Sequence, residues 1–226
     1  MAILWILMIG MFLVSYLVQN RLKSKFKKYS KIASPNNISG AEIAERMLNE
    51  NGIYDVKIQS TRGSLTDHYN PTNNTVNLSN EVYNGRSVMA MAVAAHECGH
   101  AVQHARAYAP VKLRSALVPV VSFASNWVQW VLIGGILLVQ SFPQLLLFGI
   151  ALFAMTTLFS FVTLPVEIDA SRRALVWLKQ SGITTVEMRE NAKDALTAAA
   201  YTYVVAALGS LVTLLYYVMI FLGRRN

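Results

Sequence analysis

Charged residues are scarce in this chain, at 14% of 226 residues, against about 25% in ordinary soluble domains. Charge and histidine are both absent from three long stretches: Met1 to Asn20, Ser115 to Val166 and Ala195 to Gly223. Runs of 20, 52 and 29 residues without charge exclude an ordinary water-facing surface over nearly half the chain. Either the core is unusually large for this length or the surrounding solvent is partly lipid. A helix needs about 20 apolar residues to cross a bilayer. The first and third runs can each cross once, and the middle run twice, with a turn near Ser141-Phe142-Pro143-Gln144. Cysteine is almost missing too. The single Cys98 excludes an internal disulfide and fits a reducing compartment. Internal repeats and low-complexity tracts are also absent.

The charge that is present is mostly basic, with 20 Lys and Arg against 12 Asp and Glu, a net +8. Its placement argues against nucleic acid as the partner. Arg21, Lys23, Lys25, Lys27, Lys28 and Lys31 follow the first apolar run at once, and short segments rich in Lys and Arg stay cytoplasmic. Thirteen basic residues lie between Arg21 and Arg114 and five between Arg172 and Lys193, leaving Arg224 and Arg225 at the far end. The N-terminus is therefore expected outside, with the segments 21–114 and 167–194 in the cytoplasm. Met1 to Asn20 has its positive charges after the apolar stretch rather than before it, so an uncleaved anchor is expected rather than a signal peptide.

These readings give a mainly α integral membrane protein, multi-pass, with four transmembrane helices and a small α+β region in the cytoplasm. Its expected segments are a transmembrane helix at 1–20, a cytoplasmic region at 21–114, a transmembrane hairpin at 115–166, a second cytoplasmic segment at 167–194, and a last span with the C-terminus at 195–226. Ser39 and Glu42 have capping-box spacing, predicting a helix that ends at Gly52. Short strands are predicted over Val56 to Ser60 and Thr75 to Leu78, the latter with an edge able to pair with an extended peptide. Ser87 is the expected N-cap of a helix from Val88 to about Ala107. Further helices are expected from Ser171 to Gln180 and from a second capping box at Thr184 and Glu187.

The chemistry concentrates in His96-Glu97-Cys98-Gly99-His100. Residues four apart share a helical face, so both imidazoles can bind one zinc ion while Glu97 acts as general base toward water. Neutral imidazole suits zinc, the metal lowers the pKa of water toward neutrality, and a carboxylate relays the proton to the leaving amine. With 4 His and 8 Glu in this chain, chance would produce the pattern in roughly a quarter of one percent of such sequences. A catalytic zinc usually has three protein ligands and one open position. His104 continues the four-residue spacing, but on a straight helix it lies about 12 Å from His96 along the axis. Glu167 and Asp169 are better placed, as the first charged residues after the 52-residue run. A hairpin of two spans returns them to the side where the histidines lie. Asp169 is the alternative ligand or an orienter of a ligand imidazole.

The chain resembles the neutral zinc metallopeptidases of bacterial membranes, the YugP type. The resemblance is carried by Ser64 to Pro71, Val76 to Gly85, Val93 to Ala105, Tyr108-Ala109-Pro110, Leu113 to Pro119 and Leu164 to Ala174. By similarity, the HtpX-like membrane peptidases take a third ligand from a Glu-x-x-Ala-Asp motif. The matching stretch is Glu167-Ile168-Asp169-Ala170-Ser171, which puts Glu167 on the ligand position. Ser171 stands where the motif has Asp, so the supporting role falls open, with Asp169 as a candidate.

Weaker candidates for stabilising an oxyanion are His68 and Tyr69, ahead of the second strand, and Tyr201 and Tyr203, at the start of the last span. Structural or interfacial roles are the favoured reading of each of them. Cys98 is expected to point away from the His96 and His100 face, and Gly99 to let a neighbouring helix come close. The expected function is a zinc metalloendopeptidase with one Zn2+ per chain, acting on proteins or peptides, including membrane proteins. The alternative is a membrane scaffold or adaptor with a structural zinc, for which Glu97 would have no use. A metal transporter would need ionisable groups inside the spans, and the three runs have none.

Overall fold

The computed structural model describes residues 2–223, with side chains from residue 5 onward. Arg224 and Arg225 lie outside the described residues. In chain order the elements are α1 (Ala2–Tyr29), α2 (Gly40–Glu50), β1 (Lys57–Thr61), β2 (His68–Asn70), β3 (Thr75–Ser79), α3 (Asn80–Tyr83), α4 (Val88–Ala105), α5 (Ala109–Leu137), α6 (Pro143–Gln180) and α7 (Val186–Gly223). They fall into two compact units. One gathers residues 2–18, 112–164 and 202–223, and the other 19–111 and 165–201.

Four helices are long and apolar enough to cross a membrane: Trp5–Tyr29, Ala109–Leu137, Pro143–Gln180 and Val186–Gly223. In the first unit Leu132, Leu146 and Ile150 form a buried cluster with Phe153 and Tyr217 packed against it. Many of its large side chains face outward, among them Phe12, Phe123, Trp127, Trp130 and Leu137. An outward apolar surface of this extent marks contact with lipid or protein rather than water. Its hydroxyls turn inward on their own helices: Thr157 donates to the Phe153 carbonyl at 3.0 Å, Thr163 to Phe159 at 2.8 Å and Thr213 to Gly209 at 2.9 Å. Such back-bonding satisfies a hydroxyl without water. The chain is a multi-pass membrane protein.

The second unit carries most of the sequence-predicted local signals. Ser39 and Glu42 form the capping box of α2, and Gly52 closes it at φ +74°, a conformation that favours glycine. The sheet has the order β1-β3-β2, with β1 parallel and β2 antiparallel to β3. Ile58 and Tyr69 both pair with Val76. The strand expected over Thr75 to Leu78 is thus the centre of the sheet, and both its edges are taken. The free edges belong to β1 and β2. The burial of β3 agrees, since Thr75, Val76, Leu78 and Ser79 are all buried.

Two helix boundaries differ from expectation. The helix expected to begin at Ser171 is the end of α6, which runs unbroken for 38 residues. No glycine or proline interrupts it between Pro165 and Gln180. At about 1.5 Å per residue, α6 is longer than the roughly 30 Å a bilayer core requires. The cap of α7 is Thr185, whose hydroxyl accepts from the Met188 amide, while Thr184 donates to the Leu178 carbonyl.

The core of this unit joins Ile43, Met47 and Leu48 of α2, Val76 and Leu78 of β3, Met91, Ala95 and Cys98 of α4, Leu178 of α6 and Leu196 of α7. The Cys98 thiol is fully buried, donates weakly to the Ala44 carbonyl at 3.6 Å, and is pushed up in pKa by that burial. Elsewhere in this unit Asp194 of α7 takes Lys25 at 2.5 Å and the Tyr29 hydroxyl, both from α1. Ser39→Ala should destabilise the protein by about 1 kcal/mol, the usual worth of an N-cap. Denaturant unfolding in detergent checks this, with Ser64→Ala, whose hydroxyl is exposed, expected to change little.

Candidate metal centre

The site is built on α4. Ser87 caps its start by accepting from the Ala90 amide at 3.2 Å, and an alanine-rich sequence, Ala90, Ala92, Ala94, Ala95 and Ala101, favours the helix intrinsically. His96 and His100 project from successive turns, their rings 4.8 Å apart and nearly perpendicular. Gly99 lies against α6, where an added Cβ would meet the Ala170 carbonyl oxygen at 2.5 Å. A side chain there would collide with main chain, so glycine sets how close the two helices come.

That approach delivers Glu167 of α6. Its Oε2 lies 3.4 Å from His96 Nε2 and 3.6 Å from His100 Nε2, with all three side chains largely removed from solvent. Ligand atoms of His96, His100 and Glu167 all fall within 4.8 Å of one another. Tetrahedral bonds near 2.0–2.1 Å place neighbouring donor atoms roughly 3.4 Å apart. The spacing and the donor types, two imidazoles and a carboxylate, both fit zinc.

The outer nitrogen of each imidazole is also engaged. His96 Nδ1 lies 3.1 Å from Ser171 Oγ, and His100 Nδ1 lies 3.1 Å from Gln103 Oε1. Such bonds turn the other nitrogen, Nε2, toward a metal. Ser171, rather than Asp169, is the residue of this stretch of α6 that meets a His96 ring nitrogen. Asp169 makes no direct contact with an imidazole among these hydrogen bonds; it accepts from Gln103 Nε2 at 3.0 Å and from Arg173 at 2.5 Å. Gln103 and Ser171 were not singled out in sequence for these roles, although Gln103 lies three residues beyond His100, on the same helical face.

Glu97 is buried. Burial raises its pKa, and the Glu167 and Asp67 carboxylates add to the rise while His96 and His100 oppose it. Burial disfavours a charged His100, but Glu167 and Glu97 outweigh it and hold the imidazole pKa above its ordinary value. Asp67 anchors β3 by accepting from the Ser79 amide at 2.7 Å.

The remaining candidates are placed as follows. His104 lies outside the converging donor set, and its ring packs 5.3 Å from Tyr69, as the helix rise anticipates. Tyr69 donates to Asn74 Oδ1 at 3.3 Å, and His68 is exposed, its Nδ1 2.8 Å from the Thr66 carbonyl oxygen. His68 and Tyr69 form part of β2 itself rather than a lead-in to the sheet. Tyr201 is half-exposed at the end of the second unit, and Tyr203 belongs to the first.

A family model described as "Putative neutral zinc metallopeptidase" matches residues 4–222. The chain belongs to this family. It is also 45% identical over 213 residues, 94% of each chain, to "Putative membrane protease YugP" of Bacillus subtilis (strain 168). No solved structure matches. The family implies zinc, and the triad of His96, His100 and Glu167 is a group in this chain that can hold it.

Gly99→Val is expected to force α4 and α6 apart and to lower zinc affinity at least tenfold, while the overpacking costs about 1–3 kcal/mol of stability. Chelator competition measures the first and thermal unfolding the second. Gly52→Ala, which strains a positive φ where a Cβ would meet nothing within 4 Å, should lower stability alone.

Proposed function

We propose that this chain is a membrane zinc metalloendopeptidase in which His96, His100 and Glu167 hold one zinc ion and Glu97 is the general base. The observation that carries the reading is the convergence of two imidazole Nε2 atoms on one buried carboxylate from a helix that also bears a buried, pKa-raised Glu97. Zinc bound there supplies Lewis acidity, polarising a carbonyl and making water a competent nucleophile near neutral pH.

The protein's own groups do the rest. Glu97 accepts a proton on a carboxylate oxygen from the attacking water and returns it to the leaving nitrogen. Burial favours its neutral form and so lets it hold that proton between the two transfers. A bound cation would pull its pKa back down, leaving it ionised when the water must be activated. Ser171 and Gln103 hold the outer nitrogens of the two imidazoles and so keep each Nε2 turned toward the metal position. The buried surroundings of Glu167 and Glu97 strengthen each of these interactions.

The substrates are proteins or peptides, membrane proteins included. The zincin-like region is placed on the cytoplasmic side and the N-terminus outside, a reading supported by 18 of the 20 Lys and Arg lying in 21–114 and 167–194. A structural zinc in a scaffold would have no use for a carboxylate at Glu97. The purified protein in detergent should bind one zinc and cleave an unfolded protein. Glu97→Gln should keep the zinc and lose about 10²–10⁴-fold in cleavage rate. Equal cleavage by wild type and Glu97→Gln would reject the peptidase reading. Glu167→Ala should lose the zinc itself, and metal analysis after dialysis would reveal it.

A further inference from the structure

Gln103 is completely buried, and its amide is used on both sides. Oε1 faces His100 Nδ1 at 3.1 Å, while Nε2 faces the Val166 carbonyl oxygen at 2.7 Å and Asp169 Oδ2 at 3.0 Å. The orientation of this amide follows from its partners. A main-chain carbonyl can only accept a hydrogen bond, so the NH2 group must be the end that faces Val166. The oxygen is then left toward His100, and it too can only accept. His100 Nδ1 must therefore carry a proton and donate it, so that in the neutral imidazole, the form a metal takes, Nε2 facing Glu167 is the atom that offers its lone pair.

We infer that Gln103 is a positioning residue that imposes on His100 the tautomer required of a metal ligand, with its own amide locked by the Val166 carbonyl and Asp169. Asp169 is in turn held by Arg173 at 2.5 Å and Arg172 at 3.4 Å. The chain of contacts thus runs from a half-buried arginine on α6, through Asp169 and Gln103, to the ring on α4. Val166, Asp169 and Arg173 lie on the same stretch of α6 as Glu167. One helix therefore supplies both a ligand and the lock on the tautomer of another ligand. His96 is arranged differently: its Nδ1 meets the Ser171 hydroxyl, which can donate or accept and so does not by itself dictate a tautomer. The two imidazoles are unequal, and His100 is the one set in advance.

This inference rests on the zinc reading and is tested by metal affinity rather than activity. Gln103→Met keeps nearly the same volume and removes both the acceptor and the donors. Zinc affinity by chelator competition should fall about 10–100-fold, the usual effect of losing a partner behind a metal-bound imidazole. The visible spectrum of the cobalt-loaded protein should shift, and thermal stability without metal should stay near wild type. A merely structural glutamine would give the opposite pattern, lower metal-free stability with unchanged metal affinity, and that result overturns the inference. If Gln103→Met does not fold, Asp169→Ala tests the same lock from its far end. It should lower zinc affinity by about tenfold, and unchanged affinity overturns the inference. A wild-type protein that binds no zinc sinks the metallopeptidase reading along with this one. A wild type that binds zinc beside a Gln103→Met variant that binds it equally well sinks this one alone.

Discussion

Main-chain contact between α4 and α6 at Gly99 and Ala170 is the constraint on which the site depends. Side chains normally hold helix axes 8–10 Å apart. With no Cβ at Gly99 the two backbones come closer, and a glutamate on one helix reaches both imidazoles on the other without stretching. The alanines along α4 serve the same end. Ala94, Ala95 and Ala101 are all buried, so small side chains make up part of the surface that α4 packs against its neighbours. The convergence of the three donor groups thus begins as a packing problem, eased by a glycine at the point of closest approach.

Close packing creates an electrostatic difficulty. Glu97, Glu167 and Asp169 are all buried, and a buried carboxylate is costly unless it is paired and hydrogen-bonded. Each finds a different kind of relief. Glu167 faces two imidazoles, Asp169 faces Arg172, Arg173 and the Gln103 amide, and Glu97 moves toward its neutral form. Three carboxylates within a few residues of one another in space or sequence therefore hold different protonation tendencies. That inequality is what the proposed acid–base role of Glu97 requires.

Much of this was legible in the sequence, and the remainder was hidden for physical reasons. His96, Glu97 and His100 were readable because a metal needs given residue types at a given helical spacing. Glu167 was readable because it is the first carboxylate after a long charge-free run. Strand β2 was not, since three residues between turn-forming sequences show too little alternation, and its pairing with β3 rests on partners distant in sequence. Gln103 escaped notice because glutamine is ordinary at such a position, and Ser171 was seen only as a departure from a motif. Only the neighbouring helix gives them a purpose. The continuity of α6 was missed for a related reason: the return of charge after Val166 resembles an ending, yet charge does not stop a helix. Thr184 and Thr185 differ by one residue, a choice of cap that a spacing rule cannot make.

Cys98 sits one residue from the general-base candidate and yet belongs wholly to the hydrophobic core, on the face opposite the imidazoles. With no other thiol in the chain, it is a built-in reporter on that core. An alkylating reagent can reach it only when α2 and α4 separate, the same opening that relieves the burial holding its pKa up. Its rate of modification therefore reads how often the packed interior opens, independently of whether any substrate is present.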